Sequence, residues 1–399
     1  MALYERNDYQ AMKILIVSKD PTHRTTAGNR WGILKQAEML RSLGNEVHFL
    51  YVRELPLRHD GLDVYAADLK ACTDYWGEFL HVFNVSKLQK AWFNILYRLR
   101  KWFCGGDCGI DDDYPCGLSG YVRALQAEQQ FDICIVNYYY LTKLLTQCSI
   151  PVKAVFTHDY FAHKNLVVGE NILHINPGSE SVAMQRAPHI FAVQDDECSY
   201  YRLISPRSEV YNIYSLYEYH PQPVCGNHDI VFLSGGNQFN INGIRSFVAD
   251  VFPSVHDKYP DARLLIGGSI CSRIKDLGQI DGVELEGYVD DTAAFYARAD
   301  VAVNPVYQGT GLKIKTFEAV SYDKITLVHP HSARGIFCPG SAPVKICASP
   351  ADWLSAFDEV WSGRFDFSGS KEQNGEYINA LSQFVRSEYL RFLDNAAKQ

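Results

Sequence analysis

The chain reads as an α/β protein built from two doubly wound domains in tandem, and three observations carry that reading. Short, near-continuous apolar strands rich in Val and Ile alternate with helical stretches, the pattern occurs twice, and a polar, proline-containing segment separates the two occurrences. At 399 residues the chain also exceeds what one hydrophobic core usually serves, so two domains of roughly 150 to 200 residues are expected.

The first set of strands is KILIVS from Lys13, VHFLYV from Val47, DICIVN from Asp132, VKAVFTHD from Val152 and HIFAVQ from His189. The second is DIVFLSG from Asp229, ARLLIGG from Ala262, VELEGYV from Val283, DVAVNPV from Asp300, ITLVHP from Ile325 and VKICA from Val344. Strands of this kind, apolar on both faces, belong to parallel sheets covered by helices. YHPQPVCGNH, Tyr219 to His228, has neither period and reads as the linker. The domains are therefore drawn as 1–222 and 223–375. The last helical stretch, Glu376 to Leu393, lies within 376–399 and is expected to pack back on the first domain. Ligands of such sheets bind at the carboxyl ends of the strands, and in tandem those ends are expected to face across a cleft.

Composition excludes several classes. The net charge of −8 argues against a nucleic-acid partner, since binding a phosphate backbone normally needs a basic face. Eleven cysteines, scattered singly and odd in number, suit a reduced cytoplasmic protein better than a disulfide scaffold. The opening MALYERNDYQAMK lacks the apolar core of a secretory signal, and no apolar run reaches the roughly 18 residues of a membrane span. Cys104, Cys108 and Cys116 form the closest cysteine cluster, with His81 a distant fourth ligand, and free loop thiols are the expectation there. His329 and His331 flank Pro330 with no nearby carboxylate pair, so no metal is expected at that loop either.

GTGLKIKTFEA, Gly309 to Ala319, follows the buried run Ala299 to Pro305 directly. A strand ending in a Gly-x-Gly turn that opens a helix offers backbone N–H groups, a helix N-terminus and the cations of Lys313 and Lys315 to a phosphate ester. Glu318, three positions beyond Lys315, can share its helix face and accept two ribose hydroxyls. The alternative is an ordinary surface ion pair, worth about 0.3 to 0.5 kcal/mol, beside plain turn glycines.

Other strand ends carry further candidates. Gly235, Gly236 and Asn237 follow the first strand of the second domain and either approach phosphate through the backbone or form a simple turn. TTAGNRWG, Thr25 to Gly32, holds the equivalent place in the first domain but is not a dinucleotide fingerprint. THD, Thr157 to Asp159, puts an imidazole and a carboxylate at a strand end, as His158 and Asp159. QDDE, Gln194 to Glu197, reads as a cap that favours the dipole of the helix it opens.

KLQKAWFNILYRLRKWF, Lys87 to Phe103, places Leu88, Trp92, Ile95, Leu99 and Phe103 on one helical stripe, with Lys90, Arg98, Arg100 and Lys101 at remaining positions. Such a helix either packs on the sheet or lies on an anionic membrane surface.

On these motifs the chain resembles the GT-B glycosyltransferases, specifically the family 4 type (glycosyl transferases group 1) of retaining, nucleotide-sugar-dependent enzymes with two Rossmann-like domains. The resemblance runs from Lys13 to about Trp361 and is most specific over Gly287 to Ile336, supported by Ser234 to Phe247, Thr157 to Asn165 and Phe191 to Glu197. It implies that Lys313 and Lys315 meet the donor diphosphate and Glu318 the ribose, with Gly309, Thr310 and Gly311 forming the turn. It implies that Tyr288 and Val289 border the base through their backbone, that Gly235 and Asn237 line the donor, that His158 touches the donor sugar and that Gly28 lets the first-domain loop close on it. Asp159 is the fallback base. Two departures stand out: the first of the family's paired glutamates falls at Thr310, and the loop after DIVFLSG carries Asn237, Gln238 and Asn240 where basic residues are common.

The resulting expectation is a hexosyl- or glycosyltransferase, cytoplasmic or peripheral at the inner face of the membrane. It would move a sugar from a nucleoside-diphosphate sugar to a saccharide or lipid-linked saccharide, with no metal and no cofactor beyond the donor. The alternatives are a nucleotide-sugar epimerase of the same fold and a non-catalytic nucleotide- or glycan-binding protein.

Overall fold

The structure is a computed structural model that describes residues 11–24, 28–54, 62–103, 109–168 and 175–398. Two compact units divide it: residues 1–215 with 385–399, and residues 216–384.

In the first unit the chain runs β1 (Lys13–Ser18), α1 (Gly28–Ser42), β2 (Glu46–Glu54), α2 (Leu62–Trp76), β3 (Leu80–Val85), α3 (Lys87–Phe103), α4 (Leu118–Gln129) and β4 (Ile133–Asn137). It continues through α5 (Lys143–Gln147), β5 (Val152–Phe156), α6 (Phe161–Val168), α7 (Pro177–Met184), β6 (His189–Ala192), α8 (Asp195–Ile204) and β7 (Glu209–Asn212). The seven strands form a parallel sheet in the order β3-β2-β1-β4-β5-β6-β7. Central strands β1 and β4 are buried almost throughout, as their unbroken apolar runs require. The order reverses between β1 and β4, so a crevice opens beyond their carboxyl ends.

The second unit comprises β8 (Asp229–Leu233), α9 (Gln238–Asp250), α10 (Phe252–Lys258), β9 (Arg263–Gly267), β10 (Val283–Gly287), α11 (Thr292–Tyr296), β11 (Val301–Asn304), α12 (Ile314–Ser321), β12 (Ile325–Val328), β13 (Val344–Ile346) and α13 (Pro350–Trp361). Its parallel sheet has the order β10-β9-β8-β11-β12-β13, with the reversal between β8 and β11. Helix α14 (Phe367–Ala396) closes the chain; its residues up to Phe384 belong to the second unit and those from Val385 to the first.

Three features differ from the sequence reading. Strands β3 and β7 were not expected; both are outermost in their sheet, β3 only partly buried with a broken apolar run, and β7 largely buried but only four residues long. The second unit begins at Leu216, so the segment Tyr219–His228 lies inside it rather than between units. Asp323 and Asp300 explain this: Asp323 accepts from the Tyr219 hydroxyl at 2.9 Å and the Gln222 N–H at 3.1 Å, and Asp300 accepts from the N–H groups of Cys225 and Gly226 at 2.9 and 2.7 Å. The final helix is also longer than the apolar stripe indicates, at 30 residues.

Candidate functional site

In the second unit the loops after β8 and β11 flank the point where the strand order reverses. Gly309 and Gly311 both have positive φ, 110° and 76°, which lets the chain leave β11 and turn into α12 without side-chain clash. The built position of a Cβ on Gly309 lies 3.2 Å from the Phe239 ring, so this turn packs against the start of α9. On the same side, a Cβ on Gly243 would come within 2.8 Å of the Val306 backbone. Glycines at 243 and 309 thus bring the two loops together.

Behind the turn, the Asn304 amide donates to Thr316 Oγ1 at 2.9 Å, the Thr316 hydroxyl donates to the Ser332 carbonyl at 3.1 Å, and the Ser332 hydroxyl donates to the Val306 carbonyl at 2.7 Å. This buried chain ties the end of β11 to the first turn of α12, which carries no side-chain cap of its own.

Lys315 stands on that turn, half-buried, and among the described residues it makes no ion pair or hydrogen bond. Burial lowers its ammonium to about 8, only partly opposed by the Glu318 carboxylate and reinforced by Lys313. The ion-pair alternative therefore does not describe the site: Lys315 and Glu318 share a face without closing a salt bridge. Glu318 is raised above the ordinary carboxylate range by burial, although the Tyr296 hydroxyl donates to its Oε2 at 3.2 Å and Lys315 lies near. Tyr296 is held by stacking on Tyr322, with ring centroids 4.8 Å apart. Lys313 folds back to donate to the Gly311 carbonyl at 3.2 Å. His331, from the loop after β12, lies close enough for Lys313 and Arg334 to help burial lower its imidazole to about 4, and among the described residues its buried Nε2 has no hydrogen-bond partner.

The other donor-side candidates are distributed as follows. Tyr288 is exposed after β10, whereas Val289 turns inward and joins the small apolar cluster that contains Phe295, Tyr296 and Ala319, which couples this loop to α12. Gly235 is exposed at the end of β8. Asn237 has a structural task that sequence reasoning did not assign: its side chain accepts from the Asn240 N–H at 3.0 Å and caps α9. Next to it stands a residue that the sequence did not single out. Arg273, from the turn after β9, is exposed and unpaired among the described residues, and its Cγ lies 3.3 Å from where a Cβ on Gly236 would sit. The loop after β8 lacks a cation in sequence, and Arg273 brings one from 30-odd residues downstream, a proximity that only the fold reveals.

In the first unit, the strand ends at the reversal carry Asn137, Tyr138 and His158. Tyr138 and His158 both have positive φ, 68° and 63°, a conformation costing on the order of 1 to 3 kcal/mol for a residue with a side chain. Their rings stack with centroids 4.5 Å apart, and the Phe156 ring packs on the imidazole in a tilted contact at 4.3 Å. His158 Nε2 lies 2.7 Å from Asn137 Oδ1. Burial lowers the imidazole to about 3, so it is neutral at physiological pH. Helix α1 passes alongside: a Cβ on Gly32 would stand 3.8 Å from His158 Nδ1. Gly28 is the first, exposed residue of α1, and residues 25–27 of the adjoining loop lie outside the described residues.

Asp159 requires a correction. As a fallback base it would need an accessible carboxylate, but it is 7% exposed, pairs with Lys164 at 2.9 Å and accepts from the Tyr160 N–H at 3.0 Å. Its carbonyl takes the Tyr201 hydroxyl at 2.9 Å. It belongs to the packing between α6 and α8. The QDDE acids occupy the first turn of α8, where the helix dipole favours them, but Gln194 makes no side-chain cap and Glu197 is fully buried.

Cys104 and Cys108 fall outside the described residues. His81 Nε2 is bonded to His48 Nδ1 at 2.9 Å, and among the described residues no group of three or more candidate ligands surrounds a metal position.

Residues 227–361 match the family model described as glycosyl transferases group 1. A search of the curated proteins finds no match. Among solved structures, the chain is similar to a sucrose-phosphate synthase from Thermosynechococcus elongatus, with 14% identity, a TM-score of 0.66 and coverage of 97% of this chain and 100% of that one. It is similar to Anabaena HepE in complex with UDP and glucose, with 12% identity, a TM-score of 0.58 and coverage of 97% and 100%. It is similar as well to the pneumococcal O-GlcNAc transferase GtfA in complex with UDP and GlcNAc, with 9% identity, a TM-score of 0.61 and coverage of 98% and 100%. The segment that carries Arg273, Lys315 and Glu318 thus lies within the part of the chain that matches the glycosyl transferases group 1 model, in a chain with the GT-B fold of two Rossmann-like domains.

Proposed function

We propose that this protein transfers a sugar from a nucleoside-diphosphate sugar to a hydroxyl of a saccharide or lipid-linked saccharide. The observation that carries the reading is Lys315: an unpaired, half-buried ammonium one helical turn from Glu318, at the strand-order reversal of a domain matching the group 1 family. Holding a cation there without a counter-ion costs desolvation energy that a bound anion would repay. Two structural neighbours, solved in complex with UDP and a sugar, support a nucleotide-sugar donor.

In this reading Lys315, Lys313 and Arg273 bind the diphosphate and stabilise the charge that develops on it as the sugar departs, a task that preorganised cations and backbone dipoles perform. Glu318 accepts the ribose hydroxyls, and the backbone at Tyr288 and Val289 borders the base. Gly235, Gly309, Thr310 and Gly311 supply close backbone approach, with Asn237 fixing the loop by capping α9 rather than by touching the donor. His158, neutral and fixed by Asn137, meets a sugar hydroxyl, and Gly28 opens the helix beside it. We further propose front-face departure with retention, the leaving phosphate aiding deprotonation of the acceptor, because Asp159 is committed to its ion pair.

Replacing Lys315 and Glu318 separately by alanine tests the assignment. Calorimetric titration with UDP-, GDP-, ADP- and dTDP-sugars should show tight binding of at least one donor to the native chain and loss in both variants. Unchanged affinity in both would end the donor-site reading. Donor turnover with no acceptor present, yielding an epimerised nucleotide sugar, would instead identify an epimerase.

A further inference from the structure

Helix α3 has an unusual distribution of side chains. Leu88, Trp102 and Phe103 are 84%, 83% and 77% exposed, and Trp92, Ile95 and Leu99 are exposed as well. At 100° per residue these six fall within an arc of roughly 100°, so they form one apolar stripe. The opposite side of the helix is fastened to the first unit. Phe93 packs against its main apolar cluster, Lys90 pairs with Glu54, and the Gln89 amide donates to the Cys116 carbonyl at 3.0 Å. The stripe is therefore presented outward by a helix whose other face is already engaged, and the alternative in which this face packs on the sheet does not hold.

The charge on the helix indicates what covers it. Its 17 residues include Lys87, Lys90, Arg98, Arg100 and Lys101 and no acidic residue, in a chain whose net charge is −8. Lys87 and Arg98 are exposed beside the stripe. An apolar strip with aromatic residues, bordered by cations, matches a bilayer surface in which apolar groups enter the acyl boundary and cations meet anionic headgroups. Among the described residues no helix is long and apolar enough to cross a membrane, so α3 would lie in the plane of the surface rather than span it.

We propose that α3 docks the protein on an anionic lipid surface through Leu88, Trp92, Ile95, Leu99, Trp102 and Phe103, with Lys87 and Arg98 contacting the headgroups. This holds whatever the second unit binds, because it rests on no part of the donor site.

The test is flotation of the full chain with vesicles of phosphatidylcholine containing about one-third phosphatidylglycerol, against vesicles of phosphatidylcholine alone. The native chain should float with the anionic vesicles, and less so as salt rises. The Trp92→Ala, Trp102→Ala double variant should lower the partition coefficient about tenfold or more. Lys87→Gln with Arg98→Gln should weaken binding and flatten its salt dependence. Thermal melts of each variant confirm an intact fold, which exposed positions should preserve. The proposal is overturned if the native chain fails to float, or if the tryptophan variant floats equally well. It is also overturned if light scattering shows that the stripe instead holds two copies together, in an oligomer that the tryptophan variant loses while neither protein binds vesicles.

Discussion

Asn137 fixes the tautomer of His158. The Asn137 amide nitrogen donates to the Val17 carbonyl at 3.2 Å, so its Oδ1 is turned toward His158 Nε2, 2.7 Å away, and can only accept. The imidazole must then carry its proton on Nε2 and offer Nδ1, beside Gly32, as an acceptor. Changing Asn137→Asp would place a carboxylate against Nε2 and favour the imidazolium. The His158 midpoint, now lowered to about 3, should rise by at least about 1 to 3 units in an NMR titration. A midpoint that stays put would show that the 2.7 Å contact does not control the ring.

Lys315 predicts the pH dependence of nucleotide binding. Its folded-state value is depressed to about 8, so the ammonium is charged below that pH and loses its proton as pH rises through it. Affinity for a nucleoside diphosphate should fall between roughly pH 7 and pH 9.5, by about tenfold if one charged contact of about 1.4 kcal/mol is lost. Lys315→Arg, charged throughout, should bind with a flatter profile. Identical slopes in the two proteins would assign the dependence to another group.

Arg273 should act on the diphosphate and not on the nucleoside. Arg273→Ala is expected to weaken binding of the preferred nucleoside diphosphate by roughly five- to fiftyfold, while affinity for the matching nucleoside stays within about twofold. Equal losses for both ligands would mean that the side chain merely supports the Gly236 turn against which its stem packs.

Glu197 is a stability test away from the site. It is fully buried, its donors from Val193, Thr157 and Gln194 all stand at 3.4 Å, and burial together with the Asp159 charge raises its carboxyl well above the ordinary range. For an acid with a raised folded-state value, the native chain holds the proton more tightly than the unfolded chain. Stability is therefore lost as pH rises through the folded value. Glu197→Gln should raise Tm by about 2 to 4 °C at pH 8 and by less at pH 5, as read by calorimetry. A larger gain at pH 5 would reverse the assigned sign.

Which parts of this molecule could be read from its sequence follows from where the apolar signal is strongest. Strands buried on both faces, such as β1, β4, β8 and β11, announce themselves through unbroken Val and Ile runs. Edge strands β3 and β7 do not: β3 is partly solvated and mixes polar with apolar residues, and β7, although largely buried, is only four residues long with a polar residue at each end. Gly309 to Glu318 was legible because turn, cations and carboxylate are contiguous. Arg273 was not, since its place beside Gly236 is created by the pairing of β8 with β9, and Asn137 became visible only once β4 and β5 lay side by side. Asp159 looked available because a strand-end carboxylate usually is, and sequence spacing says nothing about Lys164 folding back over it.

Helix α14 places a constraint on synthesis. Phe392 packs its ring on Phe191 at 4.8 Å, on His189 at 5.3 Å and on Tyr211 at 5.6 Å, and Arg391 pairs with Glu209, so the final turns cover the β6–β7 side of the first unit. Those turns follow the whole of the second unit in the sequence. The amino-terminal sheet must therefore wait with that flank uncovered until residues 216–384 have been translated, and a message truncated shortly before Val385 would yield a product with an exposed aromatic edge.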